Sequence, residues 1–422
     1  MDNKKIKILV ISDHPFAPSG VGIQTRYMME ALLKTGRYQF ISIAGAMKHE
    51  DYNPQRTDEW GDDLIIYPVD GYGNQEMIRS LIRTEKPDML WFMTDPRFYG
   101  WLWEIENEIR PLLPMVYYHV WDNFPPPMYN QQSYQSTDVI VNISKLTNEI
   151  VTAVAPGVER HYLPHTVDTE VFKPLSEHEN REYRKNSLPD EVNSNRVIFF
   201  WNGRNARRKQ SGTTLVWFKE FLDKVGHDNA CLLMHTDPKD QHGQDLERIM
   251  EDFGLTEGQV LLSTAKIAPD ALSALYNLAD CTINISDAEG FGLSALESLA
   301  CETPIIVTMT GGLQEQVTDG NKWFGVGIEP ASQAVIGSQS VPYIYEDRLN
   351  KDDFIDALLK IYNMSKSERR ELGQMGRMHV LNNYGFERYG QEWDKLLTDI
   401  HDRHGSWDTR KKYKKWELIE VK

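Results

Sequence analysis

Asp287-Ala288-Glu289-Gly290-Phe291-Gly292-Leu293-Ser294-Ala295-Leu296-Glu297 is the stretch from which the fold of this chain can be read. The run before it, 281–285, is apolar and has the length of a buried strand. Glu289-Gly290-Phe291-Gly292 is an acid–glycine turn. After it, Leu293, Leu296, Leu299 and Ala300 fall on one helical stripe. Strand, glycine turn and helix in succession make one repeat of a parallel α/β sheet, and ligands bind outside the carboxyl ends of such strands. Gly290 and Gly292 let backbone N–H groups come close to an anion, and the helix start adds a favourable dipole. Glu289 lies in the turn and Glu297 two helical turns on, so the two carboxylates can reach opposite ends of one extended ligand. The same residues also fit a plain surface helix, with Glu289 as an acid at its start and Glu297 on a solvated face.

Working outward, the same repeat recurs. Residues 6–12, 39–44, 64–69, 88–93, 115–119 and 138–143 read as strands. Helical patterns at 23–33, 75–84, 98–109 and 145–153 alternate with them, which is the mark of a doubly wound sheet. Gly20 and Gly22 lie in the loop between the first strand and the first helix. His119 closes the fifth strand; a lone histidine there can be a satisfied core residue or a ligand contact. Strands follow at 196–201, 230–235, 259–263 and 304–308. Between the first two of these, Arg204, Arg207, Arg208 and Lys209 crowd one short loop behind Gly203. Such a cluster at a strand end suits a diphosphate, or is a solvated basic turn. Thr310-Gly311-Gly312 opens another short helix. The polar stretch 176–195 shows no period and reads as a linker, and 331–347 as an insertion. Three amphipathic helices, 352–364, 367–382 and 386–400, precede a basic and aromatic tail, 408–422, read as solvated surface.

The bulk numbers narrow the classes. With 422 residues and 41% hydrophobic content the chain can hold two full cores, so global disorder is excluded. A net charge of −16 argues against broad binding to nucleic acid or anionic lipid. Cys231, Cys281 and Cys301 have no metal-like spacing and read as reduced core thiols of a cytoplasmic protein. The first apolar run is too short for a signal peptide or a membrane span.

The E-x7-E pattern headed by EGFG resembles the signature of the retaining family-4 glycosyltransferases of GT-B fold. Three more segments fall in that family's order: the loop of Gly20 and Gly22, Gly203-Arg204 with Lys209, and Gly311-Gly312 with Glu315. Each is common alone; their succession carries the resemblance. It implies an α/β protein of two Rossmann-like doubly wound domains facing a central cleft. They would be an acceptor domain at 1–170, a linker at 171–195 and a nucleotide-sugar domain at 196–384. A last helix and tail, 385–422, would cross back to the first domain. It also implies roles. Glu289 would lie by the transferred sugar and His119 would hydrogen-bond it. Arg204 and Lys209, with Gly20 and Gly22, would hold the donor diphosphate, Arg208 competing for either cationic role. Glu297 would bind the ribose, and Gly290, Phe291, Gly292, Gly311 and Gly312 would line sugar and nucleotide. Two departures stand out: His165-Thr166 where the family has Asn-Gly, and Gln210-Ser211-Gly212 where a glycine would directly follow the lysine.

The expected activity is retaining transfer from a UDP- or GDP-sugar, with neither metal nor other cofactor. The acceptor stays open between a glycan and a small molecule. A modified nucleic-acid base is disfavoured, because residues 1–170 carry more acidic than basic side chains. A sugar-nucleotide 2-epimerase and a non-catalytic sugar-nucleotide-binding subunit are the alternatives.

Overall fold

Apolar runs flanked by amphipathic helices must be buried on both faces, and they form the central strands of two sheets. The computed structural model describes residues 4–189, 192 and 196–413. The chain divides into two units. One spans Met1–Thr166, Gly337–Tyr343 and Phe386–Lys422; the other spans Val167–Ile336 and Ile344–Gly385.

The amino-terminal unit holds β1 (Ile6–Asp13), β2 (Tyr38–Gly45), β3 (Gln55–Arg56), β4 (Leu64–Pro68), β5 (Met89–Met93), β6 (Met115–His119), β7 (Val139–Asn142) and β8 (Glu159–Tyr162). They pair in the order β3-β4-β2-β1-β5-β6-β7-β8. Every pairing is parallel except that of the short edge strand β3. Ile8, Leu9, Val10 and Ile11 of β1, paired on both sides, have no exposed surface.

Three expectations change here. The helix expected at 98–109 is a 3-10 turn, Pro96–Phe98, and two short helices, Gly100–Trp103 and Glu106–Ile109. Buried Tyr99 donates its hydroxyl to the carbonyls of Ile11 (2.9 Å) and Met93 (2.6 Å), and this anchorage takes the chain out of helical register. Strand β8 escaped the sequence reading because it is a polar edge. Its Glu159 accepts from Arg403 (2.5 Å) and lies 3.2 Å from His404 Nε2, both on the helix Phe386–His404. The tail is not wholly solvated either. Arg410 is buried against Asp138 at 2.9 Å; residues 414–422 of the expected tail lie outside the described residues.

In the carboxyl-terminal unit β9 (Val197–Asn202), β10 (Ala230–His235), β11 (Val260–Ser263), β12 (Cys281–Asn284), β13 (Ile305–Thr308) and β14 (Gly325–Ile328) make a parallel sheet ordered β11-β10-β9-β12-β13-β14. The order reverses at β9, so the chain leaves β9 and β12 on neighbouring strands toward the same edge. A second, antiparallel pair follows, β15 (Ser332–Ile336) and β16 (Ile344–Arg348), where an insertion without period was expected.

The expected linker is also structured, as the helix Glu177–Ser187. It buries none of its residues, so it has no apolar stripe to read. Its start is instead fixed by a capping box between Ser176 and Glu179. Leu175 N–H donates to Asn277 Oδ1 (2.7 Å) and Asn180 Nδ2 to the Asn277 carbonyl (2.8 Å), which ties it to the sheet's helices. Residues 190, 191 and 193–195 of that stretch lie outside the described residues. Among the described residues no helix is long and apolar enough to cross a membrane, and all three cysteines are buried free thiols.

The helix Phe386–His404 completes the amino-terminal core through Trp393, which is fully buried. Its ring meets Tyr118 edge-on at 4.9 Å and Trp91 at 6.0 Å. Trp393→Ala is expected to cost about 3–5 kcal/mol, as large aromatic truncations in cores do. Calorimetry checks this: one transition should fall while the other keeps its midpoint, since the carboxyl-terminal unit contains no part of that core.

Candidate functional site

Three loops meet because their strands are neighbours. The basic loop leaves β9, the acid–glycine turn leaves β12, and Gly311-Gly312 leaves β13. Glu289 sits at their junction, 8% exposed. Lys209 Nζ forms an ion pair with Glu289 Oε2. Ser286 Oγ donates to the same oxygen at 3.2 Å, and Arg208 Nη1 lies 3.8 Å from it. Burial would raise the pKa of this carboxyl. The Lys209 charge, then the Arg208 charge, outweigh burial and hold it at about 2. Arg208 is fixed in turn, since its guanidinium donates to the Ala288 carbonyl (2.5 Å) and its own carbonyl accepts from Asp287 N–H (2.8 Å).

Glycine is required at this junction for space. A Cβ on Gly311, whose φ is +51°, would lie 1.6 Å from the Glu289 carbonyl oxygen. Gly312 N–H donates to that same oxygen at 3.2 Å. Gly292 has φ +91°, and a Cβ there would lie 2.4 Å from Leu313 Cδ2. The two glycine turns therefore lock backbone against backbone under Glu289. Phe291 is 3% exposed and its ring packs edge-on against Tyr384. Its carbonyl is taken by Gln316 Nε2 at 2.6 Å.

Glu297 lies on the helix Leu293–Ala300, partly buried. Tyr276 donates its hydroxyl to Glu297 Oε2 at 2.7 Å and accepts from Asn202 Nδ2, at the end of β9, at 2.8 Å. Burial pushes the Glu297 pKa up to about 7, against the Tyr276 hydrogen bond, which lowers it. The two glutamates thus differ in charge state near neutrality.

Not every expected residue joins this cluster. Arg204 turns to the other side of its loop and donates to Asp240 (2.6 Å), with His242 Nδ1 at 2.7 Å; it is largely exposed. Arg208, not Arg204, accompanies Lys209 at Glu289. Gly20, Gly22 and His119 belong to the amino-terminal unit. Gly22 N–H is taken by the Ser19 cap at 3.0 Å, and a Cβ there would lie 2.6 Å from the His14 carbonyl oxygen. Gly20 begins the helix Gly20–Leu33 and is exposed. The loop's anchor is an acid, Asp13, which accepts from Ser19 (2.6 Å) and Tyr72 (2.8 Å). His119 has no exposed surface. Its Nδ1 lies 3.2 Å from Asn142 Oδ1 and its Nε2 2.7 Å from the Tyr134 hydroxyl. Burial lowers its pKa to about 3, so the ring is neutral.

Four residues were missed. Glu346, 2% exposed, accepts both Arg207 nitrogens (2.8 and 2.5 Å) and Arg348 Nη2 (2.7 Å). Asp287 pairs with Arg348 and accepts from Gln210 Nε2 at 2.7 Å, and its carbonyl takes Asp347 N–H at 2.8 Å. Asp287, Gln210, Glu346 and Arg348 thus strap β16 to both the basic loop and the acid turn. The signal was the alternation Glu346-Asp347-Arg348, which puts two charges on one face of a strand. Among the described residues no three His, Cys, Asp or Glu are grouped to hold a metal ion.

Residues 191–378 match the family described as glycosyl transferases group 1. The D-inositol 3-phosphate glycosyltransferase of Corynebacterium jeikeium is 30% identical over 198 residues, 46% of this chain and 46% of that protein. A GDP-mannose-dependent alpha-(1-6)-phosphatidylinositol monomannoside mannosyltransferase of Mycolicibacterium smegmatis is 28% identical over 191 residues, 43% of this chain and 47% of that one. The chain thus spans less than half the length of these relatives. The structure of sucrose-phosphate synthase from Thermosynechococcus elongatus superposes with a TM-score of 0.74, at 18% identity, over 94% of this chain and 100% of that one. The fold is GT-B, with two Rossmann-like domains, and the resemblance read from the E-x7-E pattern is borne out.

Glu297 gives a pH prediction. An acid whose pKa is raised on folding takes up a proton in the folded state between the two values. Its contribution to stability is full below about pH 4.5 and is lost as pH rises to about 7. Glu289 has the opposite sign, losing its contribution as pH falls below about 4.5 toward 2. Glu297→Gln removes only the first effect. The Tm of this variant minus that of the wild type should therefore rise between about pH 4.5 and 7 and level off above, in melts at fixed ionic strength. A flat difference would mean that Glu297 titrates normally.

Proposed function

Because the stretch 191–378 belongs to the glycosyl transferases group 1, we propose that the chain moves a sugar from a nucleoside-diphosphate sugar to a hydroxyl-bearing acceptor, with retention at the anomeric carbon. One observation carries the reading: a buried, ionised Glu289 shared by Lys209 and Arg208 where three strand ends meet. Lys209 and Arg208 are placed to take the diphosphate, whose charge grows as the glycosidic bond breaks. Glu289, the anion they leave, then faces the sugar. Glu297, with Tyr276 behind it, takes the ribose hydroxyls. Retention and the UDP or GDP donor rest on the family resemblance. The family match begins at residue 191, so it does not extend to residues 1–170 and the acceptor is left unassigned. The buried free thiols fit a reducing compartment, and a cytoplasmic site of action is part of the proposal.

Kinetics of two variants test the site. A sugar contact strengthens as the bond breaks, whereas a ribose contact is equal in ground and transition states. Glu289→Gln should therefore lower kcat by about 10²-fold or more with nearly normal binding of free nucleoside diphosphate. Glu297→Gln should mainly raise KM and weaken the free nucleotide too. Reversed effects would exchange the two roles, and wild-type kinetics in both would overturn the reading. Donor incubated without acceptor should not convert to an isomer; clean conversion would favour an epimerase.

Calorimetric titration with nucleoside diphosphate tests the cations. Lys209→Ala and Arg208→Ala should each weaken binding about tenfold to a hundredfold, the loss of one charge-assisted hydrogen bond. Arg204→Ala should do less, since its guanidinium is held by Asp240. An Arg204 effect exceeding both would restore Arg204 to the diphosphate.

A further inference from the structure

The carboxyl-terminal unit carries a second charged concavity, at the opposite edge of its sheet. A cavity of about 730 Å³ opens where β9 and β12 begin and where Pro304 leads into β13. Six cationic side chains line it: Arg181, Arg184, Arg196, Lys366, Arg369 and Arg370. Only three carboxylates do so, those of Glu177, Asp280 and Glu302. In a chain of net charge −16 this local excess of positive charge is a built feature.

Part of the charge is already matched. Arg369 pairs with Asp280 at 3.1 Å and Arg370 with Glu177 at 2.7 Å. Arg181 and Lys366 pair with no carboxylate of the described residues, and both are exposed at the rim. Deeper in the wall, Arg196 is 7% exposed. Its terminal nitrogens are engaged by the Gly258 carbonyl (2.9 Å) and Asp228 (3.1 Å), yet its Nε–H is buried without a partner. Asn180 Oδ1, on the same wall, is a buried acceptor without a donor. Both atoms are closed to solvent, so the groups that offer themselves to a ligand are the cations at the opening. Several arginines and a lysine together select phosphate. The volume suits a small molecule.

We propose that this cavity is a second anion site, separate from the Glu289 cluster, for a phosphorylated small molecule. The cavity shares no residue with the Glu289 cluster, although the two-equivalent count below takes that cluster to bind polyphosphate as proposed above. A ligand there would bear on the other site through two adjacent residues. Asn277 lines the cavity, while Tyr276 holds Glu297 and gives its carbonyl to Thr303 Oγ1 at 2.8 Å. The helix that carries Glu297 ends at Ala300, and Cys301 and Glu302 directly after it lie in the same wall.

The probe is inorganic tripolyphosphate, titrated calorimetrically into the whole protein at 0.15 M ionic strength, where weak surface pairing is screened. The wild type should take two equivalents. The double variant Arg181→Gln/Lys366→Gln, both exposed and outside the Glu289 cluster, should keep one equivalent and bind the other at least tenfold more weakly. Lys209→Ala should retain the equivalent that the double variant loses. The proposal is overturned if the double variant binds like the wild type, or if Lys209→Ala abolishes all binding. A circular-dichroism melt matching the wild type shows that the double variant is folded; Arg181→Gln alone repeats the test with one change.

Discussion

A carboxylate taken out of water must be paired, and that requirement organises the carboxyl-terminal unit. Glu289 is buried and ionised only because Lys209 and Arg208 reach it. For them to reach it, the loop after β9 must lie beside the turn after β12, which the strand order provides. The turn must also lie flat enough for backbone to pass beneath, which only glycine at 311 permits. A third condition is that the two remaining cations of the loop be drawn elsewhere: Arg204 goes to Asp240, and Arg207 to a carboxylate of β16. Glu346 is that carboxylate, with Arg348 and Asp287 closing the network.

Much of this could be read from the sequence, for physical reasons that also mark the limit. Central parallel strands are buried on both faces, so 6–12 and 281–285 announce themselves as apolar runs. An edge strand has no such obligation, and Glu159-Arg160-His161-Tyr162 offers no apolar run to read. The helix Glu177–Ser187 buries nothing, so its apolar period is absent; its readable signal was the Ser176-x-x-Glu179 cap. The helix expected at 98–109 had the right apolar spacing, but a tertiary hydrogen bond from Tyr99 overrode it.

The site was legible in its spacing and illegible in its pairing. Residue order told that Glu289, the basic loop and the glycine pair lie at neighbouring strand ends. It could not tell which of four cations faces the acid, because that depends on where other carboxylates lie in space. Asp240 lies 36 residues after Arg204 and holds it away; Glu346 lies 139 after Arg207. His119 shows the same limit from the other side. Its position at a strand end was legible, whereas the partners at its two ring nitrogens, Asn142 and Tyr134, lie 23 and 15 residues away in sequence.

This pairing bears on how the proposed donor would bind. Arg204, Arg207 and Lys209 each already have a carboxylate, and Arg208 shares that of Lys209. An incoming diphosphate therefore finds no idle cation and must compete with Glu289 for Lys209. A singly charged anion gains little from that exchange, whereas a diphosphate brings more charge and more acceptor oxygens than the carboxylate it displaces. The exchange also changes Glu289. Its low pKa depends on the Lys209 charge, with Arg208 next, and once these turn to phosphate its carboxylate needs new donors. Sugar hydroxyls are such donors. On the proposed roles, diphosphate capture and the readiness of Glu289 to hold the sugar would be one event, because a single ammonium group links them.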